Sequence, residues 1–450
     1  MTKGDIPSIE KNEKVYIETY GCQMNFSDSE IVTSILNNSG YHCTNIPEEA
    51  DILFVNTCSI RENAEQRVRH RLHFFRSLKK KKPGLVVGLL GCMAERTKAS
   101  LMEDESLLDL IAGPDAYRQL PELLKKVGSG QTAINTILSL DETYADIHPV
   151  RLDSNGVSGF ISIMRGCENF CSYCVVPSTR GQERSREFRS IINETKELYS
   201  LGYREVTLLG QNVNSYRWIE KGEALSFARL LSEVARVSDS IRVRYATSHP
   251  KDLSEELLRT MADHRNICRS VHLPVQSGSN KILEGMNRKY SREQYLENID
   301  AIRQALPDCS VTTDIITGFC SETEEDHLDT LSVMKLARFD FSYMFKYSER
   351  PGTIAAQAMK DDVSEAVKER RLREIIALQQ ELSLKSNKND IGKVFEVLIE
   401  GESKRSNNHF FGRNSQNKVI VFNKNGLKTG DYVNVKISRC TSATLMGEIS

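Results

Sequence analysis

The sequence predicts an α/β protein of three domains: a small N-terminal parallel sheet with helices, a central (β/α)6 partial TIM-like barrel, and a small C-terminal β-barrel. Three observations lead to this fold class. Apolar strands alternate with amphipathic helices near the N-terminus, a longer β/α series follows, and short β-rich runs occupy the chain from Lys393 onward. Strand–helix alternation is typical of parallel sheets, and short strands separated by turns are typical of barrels.

The N-terminal domain, assigned to residues 12–130, repeats one unit of strand, turn and helix. One predicted helix begins at Ser27 and Asp28 and stops at Gly40. The predicted strands are 14–20, 51–57, 85–91 and 107–113, and the predicted helices are 27–40 and 61–82. Repetition of this unit favours a small parallel sheet with helices on its faces.

The central domain, assigned to residues 153–384, follows a polar stretch from about residue 128 to residue 158. Its six predicted strands lie near 160–165, 205–210, 241–247, 269–275, 310–318 and 339–347. Helices intervene between them, as at 291–306. Six β/α repeats predict a full or partial TIM-like barrel, in which the chemistry sits at the carboxyl ends of the strands.

The C-terminal domain, assigned to residues 387–450, follows a long charged helix over 363–386. Its β-rich runs and Asn- and Gly-containing turns indicate a small OB-like β-barrel, of the kind that often handles RNA. Residues 385–450 contain 11 Lys and Arg and 6 Asp and Glu, a net charge of +5 in a chain of total charge −1. A basic module on an acidic body favours a polyanionic partner, and ordinary charge fluctuation is the alternative.

Composition and the N-terminal sequence disfavour several classes of protein. Of the 450 residues, 39% are hydrophobic and 27% charged, as in ordinary globular proteins. The N-terminus has no apolar stretch of the signal-peptide kind, and no apolar run approaches a membrane span, so we expect a cytoplasmic protein without a membrane partner. The eleven cysteines are odd in number and are not spaced like a secreted disulfide framework. In a reducing compartment, clustered cysteines more often bind metal.

A C-x3-C-x2-C loop, RGCENFCSYC (165–174), directly follows the first predicted strand of the central domain. Its thiolates, from Cys167, Cys171 and Cys174, can hold three irons of a [4Fe–4S] cluster and leave the fourth without a protein ligand. S-adenosylmethionine (SAM) can chelate that iron, and one electron then releases a 5′-deoxyadenosyl radical. The alternative is structural zinc, which needs four closed ligands, and no fourth Cys or His lies nearby in the sequence.

Three further cysteines follow strands of the N-terminal domain. Cys22 comes after the first strand, Cys58 after the second and Cys92 after the third. Because the carboxyl ends of parallel strands share one edge of a sheet, these side chains are expected to converge. The sequence thus predicts a second iron–sulfur cluster with an open iron, and three independent buried thiols are the alternative.

The whole pattern resembles the methylthiotransferases, a family of radical SAM enzymes whose C-terminal module is of the TRAM type. The resemblance extends from about Lys14 to the C-terminus. It is carried by YGCQMN (20–25), NTCSIRENAEQR (56–67), GCMAER (91–96), CSYCVVPSTRGQERSR (171–186), LLGQNVNSY (208–216), LPVQSGS (273–279) and TDIITGF (313–319). VVPSTRGQERSR and LLGQNVNSY resemble the branch that acts on N6-isopentenyladenosine in tRNA.

The resemblance implies insertion of a methylthio group at C2 of adenine 37, next to the anticodon. Its implied cofactors are two [4Fe–4S] clusters and SAM, which is used twice: once as methyl donor and once as radical source. Cys167, Cys171 and Cys174 would hold the SAM-bound cluster, and Cys22, Cys58 and Cys92 the auxiliary cluster. In the family Pro-Gly follows the TDII-x-GF stretch, whereas Cys320 and Ser321 stand there in this chain.

Further site residues are expected around these cysteines. Tyr173 packs on the SAM adenine or shields the cluster, and Arg184 belongs to a basic patch that meets the SAM carboxylate or tRNA phosphate. Glu183 and Glu187 leave simple ion pairs as the alternative. The other expected SAM contacts, at strand ends, are Gly210, Gln211, Asn212 and Gln276. The expected RNA contacts are Arg180, Arg186, Lys404, Arg405, Phe411 and Arg413.

Alternative functions stay open at this point. A methylthiotransferase could act on threonylcarbamoyl-adenosine in tRNA, whereas a basic ribosomal protein is disfavoured because the +5 module would repel it. A non-catalytic iron–sulfur protein that binds RNA is the alternative from another class, although an electron carrier would close each cluster with four cysteines. The expected partners are the tRNA anticodon stem-loop, a reductant such as flavodoxin or ferredoxin, and a sulfur donor. We expect a monomer.

Overall fold

The fold is described from a computed structural model over residues 13–58, 62–97, 107–152, 155–406 and 408–450. The chain forms two compact units. The first contains residues up to Leu152 together with Val175–Arg184, and the second contains Asp153–Cys174 and Ser185–Ser450. No helix in the described ranges is long and apolar enough to cross a membrane.

The first unit contains a six-stranded parallel sheet in the order β2-β1-β3-β4-β5-β6. Its strands are β1 (Lys14–Tyr20), β2 (His42–Cys43), β3 (Ile52–Thr57), β4 (Val86–Leu90), β5 (Leu110–Ala112) and β6 (Ala133–Asn135). Its helices are α1 (Gln23–Asn38), α2 (Glu62–Lys81), α3 (Cys92–Thr97), α4 (Leu120–Gly128) and α5 (Val176–Arg180).

Alternate residues of these strands enter two separate cores, one on each face of the sheet. Ile52 and Phe54 pack into one core, and Leu53 and Val55 pack into the other. Side chains of a strand point to opposite faces in turn, so a run that is apolar at every position is buried on both sides. The predicted small parallel sheet with helices is confirmed.

Helix α1 begins four residues earlier than predicted. The helix runs Gln23–Asn38, with Cys22 in extended conformation at its N-cap. Ser27 and Asp28, which read as a helix start, are buried inside it. The sequence rule that Ser and Asp favour N-caps fails here because the Asp28 carboxylate has a long-range partner, Arg180.

The second unit contains six parallel strands in two three-stranded sheets, ordered β13-β10-β7 and β14-β15-β16. A parallel bridge from Val243 to Ile267 connects β13 with the segment before β14. The strands are β7 (Ser158–Ser162), β10 (Glu205–Leu209), β13 (Arg242–Ala246), β14 (Ser270–His272), β15 (Ser310–Thr317) and β16 (Phe341–Lys346). Their chain order is the order of a partial barrel, as predicted.

Helices surround these six strands, and short strands lie in the connections. The helices are α6 (Phe188–Ser200), α7 (Phe227–Ala235), α8 (Glu255–Asp263), α9 (Asn280–Gly285), α10 (Arg292–Ala305), α11 (Glu324–Ala337), α12 (Ile354–Ala358) and α13 (Glu365–Lys388). The short strands are β8 (Met164–Arg165), β9 (Arg184–Ser185), β11 (Arg217–Glu220) and β12 (Glu223–Ser226). Strands and helices share one large apolar core.

The end of the chain is a closed five-stranded barrel ordered β17-β18-β19-β21-β20. Its strands are β17 (Val394–Glu402), β18 (His409–Arg413), β19 (Val419–Asn423), β20 (Tyr432–Cys440) and β21 (Leu445–Ile449). Alternate side chains, such as Val433, Val435 and Ile437, fill its interior. The predicted C-terminal β-barrel is therefore confirmed.

Candidate active site

The N-terminal sheet brings Cys22, Cys58 and Cys92 to one edge. Asn56 of β3 pairs in register with Thr19 of β1 and with Leu90 of β4, so the three strands end at one level. Cys22 caps α1, Cys58 follows β3, and Cys92 opens α3. Cys58 and Cys92 are buried, and Cys22 is partly exposed.

Two glycines at this edge leave room for the cysteines. Gly21 has φ +128° and Gly91 has φ +88°, a region that strongly favours glycine. A Cβ on Gly21 would lie 2.4 Å from the Cβ of Cys58, and one on Gly91 would lie 2.3 Å from Oδ1 of Asn56. Both turns therefore depend on the missing side chain.

Two buried asparagines connect the helix start to the end of β3. Asn25 donates from Nδ2 to Oδ1 of Asn56 at 3.2 Å, and Asn56 donates from Nδ2 to the Asn25 carbonyl at 2.9 Å and to Ser29 Oγ at 2.9 Å. The Cys22 thiol donates to Oδ1 of Asn25 at 3.1 Å. This network holds Cys22 and Cys58 in position, as outer hydrogen bonds do at metal sites. Sequence reasoning missed both asparagines, although Asn56 directly follows four apolar residues in β3.

Neighbouring groups at this edge of the sheet favour the thiolate form of Cys22. A hydrogen bond with Cys58 and the cation of Arg180 lower the pKa of Cys22 to about 6, although burial opposes them. Burial raises the pKa of the Cys92 thiol, and Arg180 acts in the opposite direction. A thiolate, and not a thiol, is the form that binds a metal.

The loop of Cys167, Cys171 and Cys174 lies in the second unit, directly after β8. Its backbone is fixed to α9 and α12, because Ser172 N–H donates to the Met286 carbonyl at 3.0 Å and the Ser172 carbonyl accepts from Ala355 N–H at 2.7 Å. Asn169 donates from Nδ2 to Sγ of Cys167 at 3.4 Å. The three cysteines therefore stand on a rigid support.

Arg288, which sequence reasoning missed, is the cation of this loop. Its buried guanidinium donates from Nη1 to Sγ of Cys171 at 3.2 Å and to the Tyr173 hydroxyl at 3.4 Å. Tyr173 thus lies beside the cysteines. Burial and the negative charge of Cys171 and Cys174 hold the pKa of the Tyr173 hydroxyl well above its usual value, although Arg288 opposes them.

Buried polar atoms without a hydrogen-bond partner surround the carboxyl ends of the central strands. They belong to Gln211 after β10, Ser248 and His249 after β13, Gln276 after β14, Thr317 at the end of β15 and Tyr347 after β16. A buried polar group left unpaired costs about 1–3 kcal/mol, so their collection at one end of the strands indicates a place for a polar ligand. This observation fits SAM and a nucleobase.

The backbone is strained at the same ends. Thr247 has φ +73° and Gln276 has φ +68°, which is unfavourable for side chains other than glycine. Gly210 packs so closely on Met164 that a Cβ would lie 2.4 Å from its Cγ. Asn212 is occupied by protein contacts: it donates to Asp252 at 2.6 Å and accepts from His249 N–H at 3.0 Å.

Burial, with the nearby cations of Arg288 and Lys251, lowers the pKa of His249 to about 2, which disfavours the charged imidazolium there.

The donor sets fit iron–sulfur clusters. In the described ranges, no three His, Cys, Asp or Glu side chains are arranged to hold a single metal ion. A [4Fe–4S] cluster requires a different arrangement, because each thiolate binds its own iron. Each candidate site offers three cysteines, one buried arginine and a rigid backbone, which suits an anionic cluster with one iron left open.

The structure places the three arginines of the expected basic patch in ion pairs, which the sequence left open as the alternative. Arg180, Arg184 and Arg186 are all buried. They pair with Asp28, Asp115 and Glu194, respectively. Arg184 also donates to the carbonyls of Ser139 and Glu142. Each guanidinium thus has a carboxylate partner within the protein and is closed off from solvent, so the structure does not support RNA contact by Arg180 and Arg186 or SAM contact by Arg184.

The remaining expected RNA contacts belong to the C-terminal barrel, and their side chains differ in exposure to solvent. Lys404 and Arg405 are exposed between β17 and β18. Phe411 is half-buried, and the Arg413 guanidinium pairs with Glu400. The most available cations are therefore Lys404 and Arg405.

Comparison with known families agrees with this arrangement. Residues 14–113 match the family described as Uncharacterized protein family UPF0004, residues 161–334 the Radical SAM superfamily, and residues 388–450 the TRAM domain. Among solved structures, the radical SAM methyltransferase TsrM from Kitasatospora setae aligns with a TM-score of 0.58 at 15% identity, covering 77% of this chain and 74% of that one. This likeness shows the fold.

Fold and matched domains together define a radical SAM enzyme with a TRAM domain. A curated relative from Bacteroides fragilis is 56% identical over 100% of this chain and 98% of its own length, and one from Amoebophilus asiaticus is 56% identical over 98% and 93%. Both are named tRNA-2-methylthio-N(6)-dimethylallyladenosine synthase. The chain belongs to this family of radical SAM tRNA methylthiotransferases, which use two [4Fe–4S] clusters and SAM.

Proposed function

We propose that the protein inserts a methylthio group at C2 of N6-isopentenyladenosine 37 in tRNA. The observation that carries this proposal is the pair of three-cysteine sites, one at the edge of the N-terminal sheet and one on the loop after β8. A three-cysteine set leaves one iron open. Transfer of a sulfur-containing group needs one open iron for SAM and a second for the sulfur.

Each cysteine set has its own role in this proposal. Cys167, Cys171 and Cys174 hold the cluster that binds SAM, and Cys22, Cys58 and Cys92 hold the auxiliary cluster. When bound, the clusters and SAM supply the sulfur, the methyl group and the radical that takes hydrogen from adenine C2. The lowered pKa of Cys22 supports its part, since it favours the thiolate, the form that binds a metal.

The protein's own side chains bind and orient the reactants at the carboxyl ends of the central strands. Gln211 and Gln276 each have a buried side-chain oxygen free to accept a hydrogen bond from SAM or adenine. Gly210 allows close approach of the backbone. Tyr173, beside Cys171, lies where it can pack against SAM. Asn212 contributes by holding the His249 backbone.

RNA binding by the C-terminal barrel completes the proposal. Lys404 and Arg405 meet tRNA phosphates, and Phe411 offers a partly exposed ring for stacking on an unpaired base. Since its substrate is tRNA, we place the protein in the cytoplasm. A small electron-transfer protein, flavodoxin or ferredoxin, is the proposed reductant, with a separate sulfur donor and a monomeric enzyme.

The test is an anaerobic reaction of the reconstituted enzyme with SAM, a reductant and tRNA that carries isopentenyladenosine, followed by mass spectrometry of the digested nucleosides. The 2-methylthio product together with 5′-deoxyadenosine is expected. Product on threonylcarbamoyl-adenosine tRNA instead would assign the other tRNA substrate. If enzyme with full iron forms neither product, that result would contradict catalysis.

Two variants separate the cysteine sets. Changing Cys22, Cys58 and Cys92 to Ala should abolish the methylthio product and leave 5′-deoxyadenosine formation. Changing Cys167, Cys171 and Cys174 to Ala should abolish both. A Cys43→Ala variant, at an exposed cysteine outside both sets, should behave as the parent.

A further inference from the structure

Arg180 is held in a fixed orientation beside the N-terminal cysteines. It ends α5, which packs against α3, the helix that begins at Cys92. Its Nη2 donates to Oδ2 of Asp28 at 2.8 Å, and both side chains are almost completely buried. Asp28 lies on α1, the helix that follows Cys22, and it also accepts from the Tyr117 hydroxyl at 3.4 Å. The guanidinium therefore lies between the helices that carry Cys22 and Cys92.

One donor of this guanidinium is unused. Arg180 Nη1 is buried and makes no hydrogen bond in the described part of the chain. The charge of Arg180 attracts the thiolates of Cys92 and Cys22, so these sulfurs are its charged neighbours together with Asp28. A buried charged donor without an acceptor is costly, which points to an acceptor that binds there.

Arg288, at the other cysteine set, differs in this respect. Its Nη1 meets Cys171 and Tyr173, its Nη2 donates to the Pro274 carbonyl at 2.9 Å, and its Nε donates to the Tyr290 hydroxyl at 2.9 Å. Each of its nitrogens has a protein partner. Arg288 thus needs no acceptor from a bound group, whereas Nη1 of Arg180 does.

We propose that Arg180 donates its free N–H to a sulfur of the auxiliary cluster and that Asp28 is the positioning residue that orients it. The inference rests on the proposed function only in that Cys22, Cys58 and Cys92 bind a cluster. A cation and a hydrogen bond to sulfur stabilise the more negative, reduced state and raise the reduction potential, because cluster potentials depend on net charge and on hydrogen bonds to the sulfurs.

The test measures the auxiliary cluster alone, in full-length protein with Cys167, Cys171 and Cys174 changed to Ala. Its reduction potential is determined by electron paramagnetic resonance at controlled potentials. At a fixed applied potential, Arg180→Gln should lower the ratio of reduced to oxidised cluster at least tenfold. For one electron this corresponds to a reduction potential about 59 mV lower. Asp28→Asn, which removes the neighbouring negative charge and keeps an oxygen acceptor for Arg180, should shift the potential in the opposite direction. Asp28→Ala removes the same charge and the acceptor, so loss of the orientation of Arg180 should give it a lower potential than Asp28→Asn; equal potentials in the two variants would overturn the positioning role of Asp28.

The double variant Asp28→Asn with Arg180→Gln isolates the hydrogen bond. It leaves the local charge as in the parent and no carboxylate unpaired, so a remaining fall in potential reports the lost N–H donor. Arg186→Gln is the matched control, since Arg186 is also buried and pairs with a carboxylate, that of Glu194; its potential should be that of the parent background.

The outcomes distinguish the role of Arg180 from the assignment of the auxiliary cluster to Cys22, Cys58 and Cys92. About four irons per chain and an unchanged potential in Arg180→Gln and in the double variant would overturn the role of Arg180 and leave the cluster assignment standing. No iron in the parent background would contradict the auxiliary cluster itself, and with it this inference. Arg180→Lys, which keeps the charge and loses the planar donor pair, should lie between parent and Arg180→Gln.

Discussion

At the scale of single residues, the turn before Cys92 shows how little space the N-terminal site allows. Gly91 needs a left-handed backbone, and a Cβ there would collide with Asn56, which holds the start of α1 through Asn25. Strain at φ and a collision with a buried amide are separate costs. Gly130, a second glycine of the same unit, allows the two costs to be measured separately.

Gly91→Ala should therefore lose the iron of the N-terminal site. Left-handed strain costs about 1–2 kcal/mol, and the overpacked contact adds about 1–3 kcal/mol. We expect roughly half of the parent's iron after anaerobic reconstitution, since the other cysteine set is unaffected. The measurement is iron per chain together with the thermal midpoint.

Gly130→Ala is the control for this prediction. Gly130 has φ +85°, nearly that of Gly91, and open space where a Cβ would stand. It should show the strain alone, with full iron. Full iron in Gly91→Ala would mean that the turn adjusts and that the collision with Asn56 does not control the site.

At the scale of elements, the loop after β15 contains a residue other than glycine in the left-handed region. Ser321 stands where the family has Gly, and its φ is +61°, the left-handed region. Glu322 holds the loop by accepting from the backbone N–H groups of Gly318 and Phe319. Ser321 therefore carries backbone strain, which the hydrogen bonds of Glu322 help to maintain.

Asp326 joins the starts of two helices. It accepts from Thr323 N–H at 2.8 Å in the capping box of α11, from Ser279 Oγ at 2.6 Å and from Lys281 Nζ at 2.8 Å, and Ser279 caps α9. Burial raises the pKa of Asp326, but these hydrogen bonds outweigh it and lower the pKa from 3.8 to about 2. The charged form is thus favoured in the folded state.

Asp326→Asn should cost about 1–2 kcal/mol of unfolding free energy at neutral pH. Because the folded-state pKa is lowered, this stabilisation is present above about pH 3.8 and is lost as the pH falls through about 2. The difference between variant and parent should therefore shrink between pH 5 and pH 3. Urea unfolding and hydrogen exchange of α11 amides in the iron-free chain measure it.

Asp329→Asn serves as the comparison for Asp326→Asn. Asp329 is on the same helix, but its side chain is 55% exposed, so its replacement should change stability by less than about 0.5 kcal/mol. A pH-independent loss in Asp326→Asn would contradict the role of the carboxylate charge.

At the scale of the whole molecule, the C-terminal barrel is attached to the amino ends of the central strands. Arg242, at the start of β13, donates to the Arg413 carbonyl at 2.7 Å, and the Tyr432 hydroxyl donates to the carbonyl of Arg204, just before β10, at 2.9 Å. The unpaired polar atoms lie at the other ends of the same strands. The proposed RNA contacts of the barrel and the proposed place of the reacting base therefore require a ligand that extends along the unit.

Arg244 is the central cation of this attachment. It donates to Glu205 at 2.7 Å and to the Asn414 carbonyl at 2.7 Å. Arg244→Met should cost about 3–5 kcal/mol, because it leaves a buried carboxylate without its cation. We expect faster proteolysis in the link 389–393 and a raised Kd for tRNA, with iron content unchanged.

A second substitution tests the reason for that loss. Adding Glu205→Leu to Arg244→Met removes the unpaired charge, so part of the stability should return. Parent-like protease resistance in Arg244→Met would show that the other contacts suffice to hold the barrel.

The three arginines after the cysteine loop mark the limit of sequence reasoning. Arg180, Arg184 and Arg186 look alike in sequence, as one basic patch. Their carboxylate partners lie 152, 69 and 8 residues away along the chain. Burial and pairing over such separations are products of tertiary packing, which no local pattern encodes.

The sequence by itself determined the alternation of strands and helices, the presence of a C-terminal β-barrel and the position of each N-terminal cysteine after a strand, because apolar periodicity and turn residues act locally. It missed the short edge strands β2 and β6 and did not predict the order of the strands in the sheet. The tertiary structure alone decided that α1 begins at Gln23, that Asp28 orients Arg180, and that Arg288 reaches Cys171. Each of these depends on groups that are distant in sequence and meet only when the apolar faces are buried, where an unpaired charge is too costly to remain.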